Sequence, residues 1–74
     1  MTTLDSLAPG QAGVIAVVDG SDAVVQRLLE MGLTDGETVE MVARAPLGDP
    51  LEISVRGYQL SLRAAEARRI LLRT

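Results

Sequence analysis

Residues 51–63 read Leu51-Glu52-Ile53-Ser54-Val55-Arg56-Gly57-Tyr58-Gln59-Leu60-Ser61-Leu62-Arg63. Leu51, Ile53 and Val55 alternate with Glu52, Ser54 and Arg56, and Tyr58, Leu60 and Leu62 alternate with Gln59, Ser61 and Arg63, which is the period of two half-buried strands. Only Arg56-Gly57 separates the runs, and glycine supplies any positive φ that a tight turn needs. The stretch therefore predicts an antiparallel hairpin with its apolar set, Tyr58 included, facing a core.

Toward the C-terminus, Ala64-Ala65-Glu66-Ala67 is long enough for one helical turn, and Ile70-Leu71-Leu72 returns to strand character. Upstream, Pro46-Leu47-Gly48-Asp49-Pro50 is a stiff loop whose prolines cannot donate ladder hydrogen bonds, with Leu47 and Asp49 at its tip. Glu37 to Arg44 is a strand with Val39, Met41 and Ala43 on one face and Val42 as the exception. Ahead of it, Ser21 or Asp22 can cap a helix over residues 22–31. Val24, Leu28 and Met31 recur there on one face, with Val25 and Leu29 widening it. Gly32 follows where a left-handed C-cap wants glycine, and Leu33 can pack back on the last turn. Gly13 to Val18 is the first strand, and its unbroken run Val14-Ile15-Ala16-Val17-Val18 predicts at least partial cover on both faces, by the barrel interior and the following helix. Leu4 to Leu7 precedes the Pro9-Gly10 turn.

The order is strand, helix, strand, strand, strand, helical turn, strand. With too few crossovers for a parallel sheet, it predicts a mainly β fold: a small five-stranded antiparallel barrel with one α-helix after the first strand and a short helical turn before the last. The chain has 74 residues, room for one domain over 1–74 and a core that buries only about 60% of the unfolded surface. That core is aliphatic, because Tyr58 is the only aromatic residue.

Composition removes several chemistries. Without Cys or His there is no thiol nucleophile, thiolate metal site or imidazole base. An enzyme would have to use a carboxylate, Arg, Ser or Tyr58, and no paired constellation of these is evident. No apolar run approaches the about 18 residues of a membrane span, and no secretory signal opens the chain, so no membrane insertion and a cytoplasmic location are expected. The net charge of -3 hides an asymmetry: residues 1–40 hold seven acids and one base, Arg27, whereas residues 41–74 hold six arginines and three acids. Those arginines (Arg44, Arg56, Arg63, Arg68, Arg69 and Arg73) read either as partners of local carboxylates or as a docking set, with Arg44, Arg56 and Arg63 as secondary contact candidates. No aromatics interleave with them to stack on bases, so no nucleic-acid partner is expected. Nor does a glycine-rich phosphate loop open a helix, so nucleotide binding unaided is not expected.

The run Leu28-Leu29-Glu30-Met31-Gly32-Leu33, the dipeptide Asp35-Gly36, the loop Ala45-Pro46-Leu47-Gly48-Asp49-Pro50 and the segment Leu62-Arg63-Ala64-Ala65-Glu66-Ala67 together resemble the FeoA family, from Leu4 to Leu72. The resemblance implies an SH3-like barrel in the bacterial cytoplasm, associated with the ferrous iron transporter FeoB. It also implies kinship with the domain that ends iron- and manganese-dependent repressors. The residues add a restriction: with carboxylates, hydroxyls and the thioethers of Met31 and Met41 as the available donors, a high-affinity iron site is not expected, and both methionines read first as core.

The expectation is thus a cofactor-free adaptor of the FeoB system, possible recruitment to the membrane passing through FeoB, with weak self-association permitted by an open barrel edge. The alternative is a metal-responsive regulatory domain in transcriptional control; a repressor would need preceding DNA-binding and dimerisation regions, for which a chain starting at Met1 has no room. The candidate docking residues are Met31, Gly32 and Leu33 in one turn and Pro46, Leu47, Gly48, Asp49 and Pro50 in the loop. A structural reading competes, in which Leu47 folds back over the barrel end and Asp49 caps its own turn.

Overall fold

The computed structural model describes residues 2–73. Strands β1 (Thr2–Thr3), β2 (Ala12–Val18), β3 (Thr38–Arg44), β4 (Leu51–Val55), β5 (Tyr58–Leu62) and β6 (Ile70–Arg73) form one sheet, with helices α1 (Ala23–Glu30) and α2 (Ala64–Ala67) and a 3-10 turn at Leu4–Ser6. The sheet order is β1-β6-β2-β3-β4-β5, and every neighbouring pair is antiparallel. The mainly β, SH3-like expectation holds, with one strand more than expected: Thr2 and Thr3 pair with Leu72 and Leu71. Two threonines are too short to display a period. Among the described residues no ladder joins β1 to β5, so the barrel is not closed by hydrogen bonds.

Among the described residues sixteen apolar ones form a single buried cluster. Leu51, Ile53 and Val55 of β4 point into it, as their alternation predicts. Met41 is wholly buried and Met31 packs on the cluster partly exposed. Two expectations of facing need correction and one is met only in part, each for a local reason. In β2 the register shifts between Ile15 and Val17, so Ala16 bulges and Ile15 and Val18 both turn inward. Val14 and Ala16 are half-buried and Val17 is left 49% exposed, so the second face of the apolar run is covered in part, as expected, and least at Val17. In β3 a second bulge between Met41 and Ala43 turns Ala43 out to solvent beside Val42. Tyr58 is 43% exposed rather than a core residue. It directly follows the turn, where Arg56 (φ 53) and Gly57 (φ 85) both take positive φ, the signature of a two-residue type I′ hairpin.

Helix α1 is specified at both ends. Asp22 Oδ1 accepts the Val25 N–H at 3.2 Å, the N-cap arrangement expected of aspartate. At the other end Leu33 N–H reaches the Leu28 carbonyl at 3.2 Å and Gly32 N–H the Leu29 carbonyl at 3.0 Å. These are the two bonds of a Schellman motif, with Leu28 and Leu33 fully buried as its hydrophobic pair. Gly32 has φ +96, and a Cβ built there would lie 2.8 Å from Tyr58 Oη and 3.2 Å from Arg56 Cδ. The Tyr58 hydroxyl donates to the Met31 carbonyl.

Gly32→Ala is therefore expected to cost about 1–2 kcal/mol from the backbone alone and to displace the Tyr58 hydroxyl. Tyr58→Phe is expected to lose about 1 kcal/mol by removing the bond itself. Chemical denaturation of the two single variants and the double variant checks this: coupling between the sites is expected, and strict additivity would contradict it. A second expectation concerns acid. The Arg69 guanidinium, 2.9 Å from Asp22, and then the Val25 amide hold the Asp22 carboxyl below its ordinary value. A lowered folded pKa gives stability that is present above the unfolded value of about 3.9 and is lost as pH falls through the folded value. Between pH 5 and 2 the thermal midpoint should fall more steeply for the unaltered chain than for Asp22→Asn; parallel curves would contradict the assignment.

Candidate functional site

The β3–β4 connection, residues 45–50, is held shut by its own backbone. Gly48 N–H donates to the Ala45 carbonyl at 2.8 Å and Ala45 N–H to the Pro50 carbonyl at 3.1 Å. Leu47 stands at its tip, 97% exposed, so it does not fold back over the barrel end. Asp49 does something neither sequence reading foresaw. Its Oδ1 accepts the Ala64 N–H at 2.9 Å, capping α2 from fifteen residues away, while its Oδ2 lies 3.9 Å from Arg63. Glu66 Oε1 accepts the Arg63 N–H at 2.9 Å, so both first amides of the short helix are answered by carboxylates. The loop is thereby fastened to α2 through Asp49 while presenting Leu47 outward.

Beside it lies an open groove of about 530 Å³ between the last turn of α1, the end of β5 and α2, lined by Arg27, Met31, Pro50, Ser61, Leu62, Arg63 and Glu66. Of the sequence candidates, Met31, Pro50 and Arg63 meet in this groove. Gly32 and Leu33 do not: both are buried and serve the helix cap. Pro46 and Gly48 shape the loop. Arg27 and Glu66, which pair across the groove, were not among the candidates. Arg27 precedes Met31 by four residues and so shares its helix face, a signal that periodicity carries. The placement of Glu66 depends on tertiary contacts alone.

The arginines are partnered within the chain. Arg68 pairs with Asp5 at 3.4 Å, Arg69 with Asp22 at 2.9 Å, Arg73 with Asp35 at 2.7 Å and Arg56 with Glu37 at 3.4 Å. Arg44 donates to the carbonyls of Asp5 and Leu7, the latter at 2.8 Å, and pins the N-terminal segment to β3. Four acids of the first half thus meet arginines of the second, which resolves the charge asymmetry of the sequence inside the fold. No three carboxylates among the described residues gather where they could jointly hold a cation, and none of the described helices is long and apolar enough to cross a membrane.

Three comparisons bear on this geometry. The chain is 39% identical over 67 residues, 90% of its length, to an Fe(2+) transport protein A/Fe(2+) transporter FeoB fusion protein of Porphyromonas gingivalis, of which it spans only 8%. It is 35% identical to the FeoA of Stenotrophomonas maltophilia, an SH3 domain protein solved in complex with zinc, with a TM-score of 0.87 over 99% of this chain and 91% of that one. A manganese-dependent transcriptional repressor in complex with manganese shares the fold alone, at 16% identity and a TM-score of 0.88 over 97% of this chain and 35% of that one. The model of the FeoA domain matches residues 2–74. With its SH3-like sheet, its capped Gly32 turn and its Pro-Leu-Gly-Asp-Pro loop, the chain belongs to the FeoA family.

Proposed function

We propose that this domain is a cytoplasmic accessory adaptor of a FeoB-type ferrous iron transporter, acting by protein contact rather than by catalysis or by holding iron, with the Leu47 loop as its docking element. The observation that carries this reading is Leu47 itself: a large apolar side chain almost wholly in water, on a loop closed by two backbone bonds and tethered by Asp49 to α2. An exposed leucine on a floppy loop would have to be ordered on binding; here that cost is largely met in the free protein. The fusion of the two proteins in the Porphyromonas relative supports FeoB as the partner, since covalent linkage turns docking into an intramolecular event at high effective concentration.

The arginines are weaker candidates. Surface pairs of this kind each contribute about 0–1 kcal/mol, and at every paired arginine except Arg63, whose pair is long at 3.9 Å, a partner would have to displace a carboxylate already in place. Leu47 has nothing to displace.

Burying a leucine side chain is worth about 1.5–3 kcal/mol, so Leu47→Ser is expected to weaken binding to the cytoplasmic region of FeoB by about 10- to 100-fold with an unchanged thermal midpoint. Asp49→Ala should instead lower the midpoint, by about 1 kcal/mol of capping, and affect binding only through the loop. Biolayer interferometry with thermal melts of each variant separates the two. Unchanged affinity for a folded Leu47→Ser would remove the loop from the interface.

A further inference from the structure

Among the described residues strand β5 is the last strand on its side of the sheet and pairs only with β4. In a two-residue hairpin the flanking residues, here Val55 and Tyr58, form a hydrogen-bonded pair, and bonded and non-bonded pairs then alternate. Tyr58, Leu60 and Leu62 therefore bond to β4, while the N–H and C=O groups of Gln59 and Ser61 point to the open edge. Neither residue's backbone finds another partner among the described residues, and both residues are exposed. The edge thus offers two donors and two acceptors at the spacing of alternate strand residues.

The surroundings narrow what can use them. The groove adjoins the Ser61 end of this edge; its Met31 and Pro50 side suits an apolar side chain of an added strand, while the charges of Arg27 and Glu66 on its other side are matched to each other. The edge is flanked by Arg56 and Arg63. Arg63 has the most exposed side chain of the arginines in ion pairs, at 76%, and its carboxylate partner is the most distant, at 3.9 Å, so its guanidinium has donors to spare for an incoming carboxylate. A second copy of this chain fits poorly: the antiparallel register that uses all four backbone groups of each edge sets Gln59 opposite Ser61 of the other copy, which brings Arg63 alongside Arg56.

We propose that the open edge of β5 accepts an extended peptide segment of a partner protein by strand addition, preferring an apolar residue flanked by carboxylates. Main-chain bonds supply affinity, and the groove with its arginine rim supplies selectivity. This surface is distinct from Leu47 and does not depend on the identity of the docking partner.

The test is selection of a randomised twelve-residue peptide display library on the intact domain, followed by amide hydrogen exchange with the synthetic winners. The expected winners carry apolar residues at alternate positions with Asp or Glu at the flanks and no internal proline. They should slow exchange of the Gln59 and Ser61 amides at least tenfold, and Ser61→Pro should weaken them by at least tenfold. That variant removes an N–H the β4–β5 ladder does not use, and its fold is checked by thermal melt; should it fail to fold, exchange in the unaltered domain decides. Proline-rich winners, no winners, concentration-dependent pairing of the domain through this edge, or unprotected Gln59 and Ser61 amides would each overturn the proposal.

Discussion

Gly32 is the constraint on which the rest of the site depends. At φ +96, with Tyr58 Oη and Arg56 against the space where a Cβ would stand, it ends α1 in a form that returns the chain directly into the core through Leu33. The Met31 carbonyl is then held by Tyr58, which fixes the last turn of the helix against the start of β5. One turn back, Arg27 pairs with Glu66. The groove between helix, strand and α2 is the space these two contacts leave. A residue with a side chain at position 32 would move the wall that carries Met31.

The second organising device is electrostatic. Acids concentrated in residues 1–40 and arginines concentrated in residues 41–74 are what a chain needs when β1 and β2 lie on either side of β6. Asp5, Asp22 and Asp35 meet Arg68, Arg69 and Arg73, all on or next to the last strand. Each pair contributes little alone; together they favour the pairing of the C-terminal strand with the N-terminal half. The imbalance that looked like a binding signature is largely matched by pairs within the fold, and among the paired arginines the side chain of Arg63 is the most exposed, at 76%.

Much of this was legible in the residues. The hairpin at 51–63, the capped helix and the Gly32-Leu33 return follow from alternation, 3.6-residue spacing and the stereochemistry of glycine, all of which act over a few residues. The facing of Ala43 and Tyr58 differs from the alternation because a bulge and a turn change which face a strand residue takes, and a bulge has no fixed sequence mark. Strand β1 was missed because two threonines borrow their structure from β6. The role of Asp49 was out of reach for a different reason: its partner, Ala64 N–H, stands across the fold, and only the tertiary structure reveals that the loop is fastened to α2. The resemblance to FeoA proteins placed the right segments together without saying what they do to one another.

Under the proposed function this FeoA domain would work by contact and not by carrying an ion, and no three carboxylates among the described residues converge. The most direct measurement is anaerobic calorimetry of the purified domain titrated in parallel with the cytoplasmic region of FeoB and with ferrous iron. The proposed function predicts saturable association with FeoB that a metal chelator leaves unchanged, and no saturable heat with ferrous iron. Saturable iron binding by the domain without association with FeoB would contradict it.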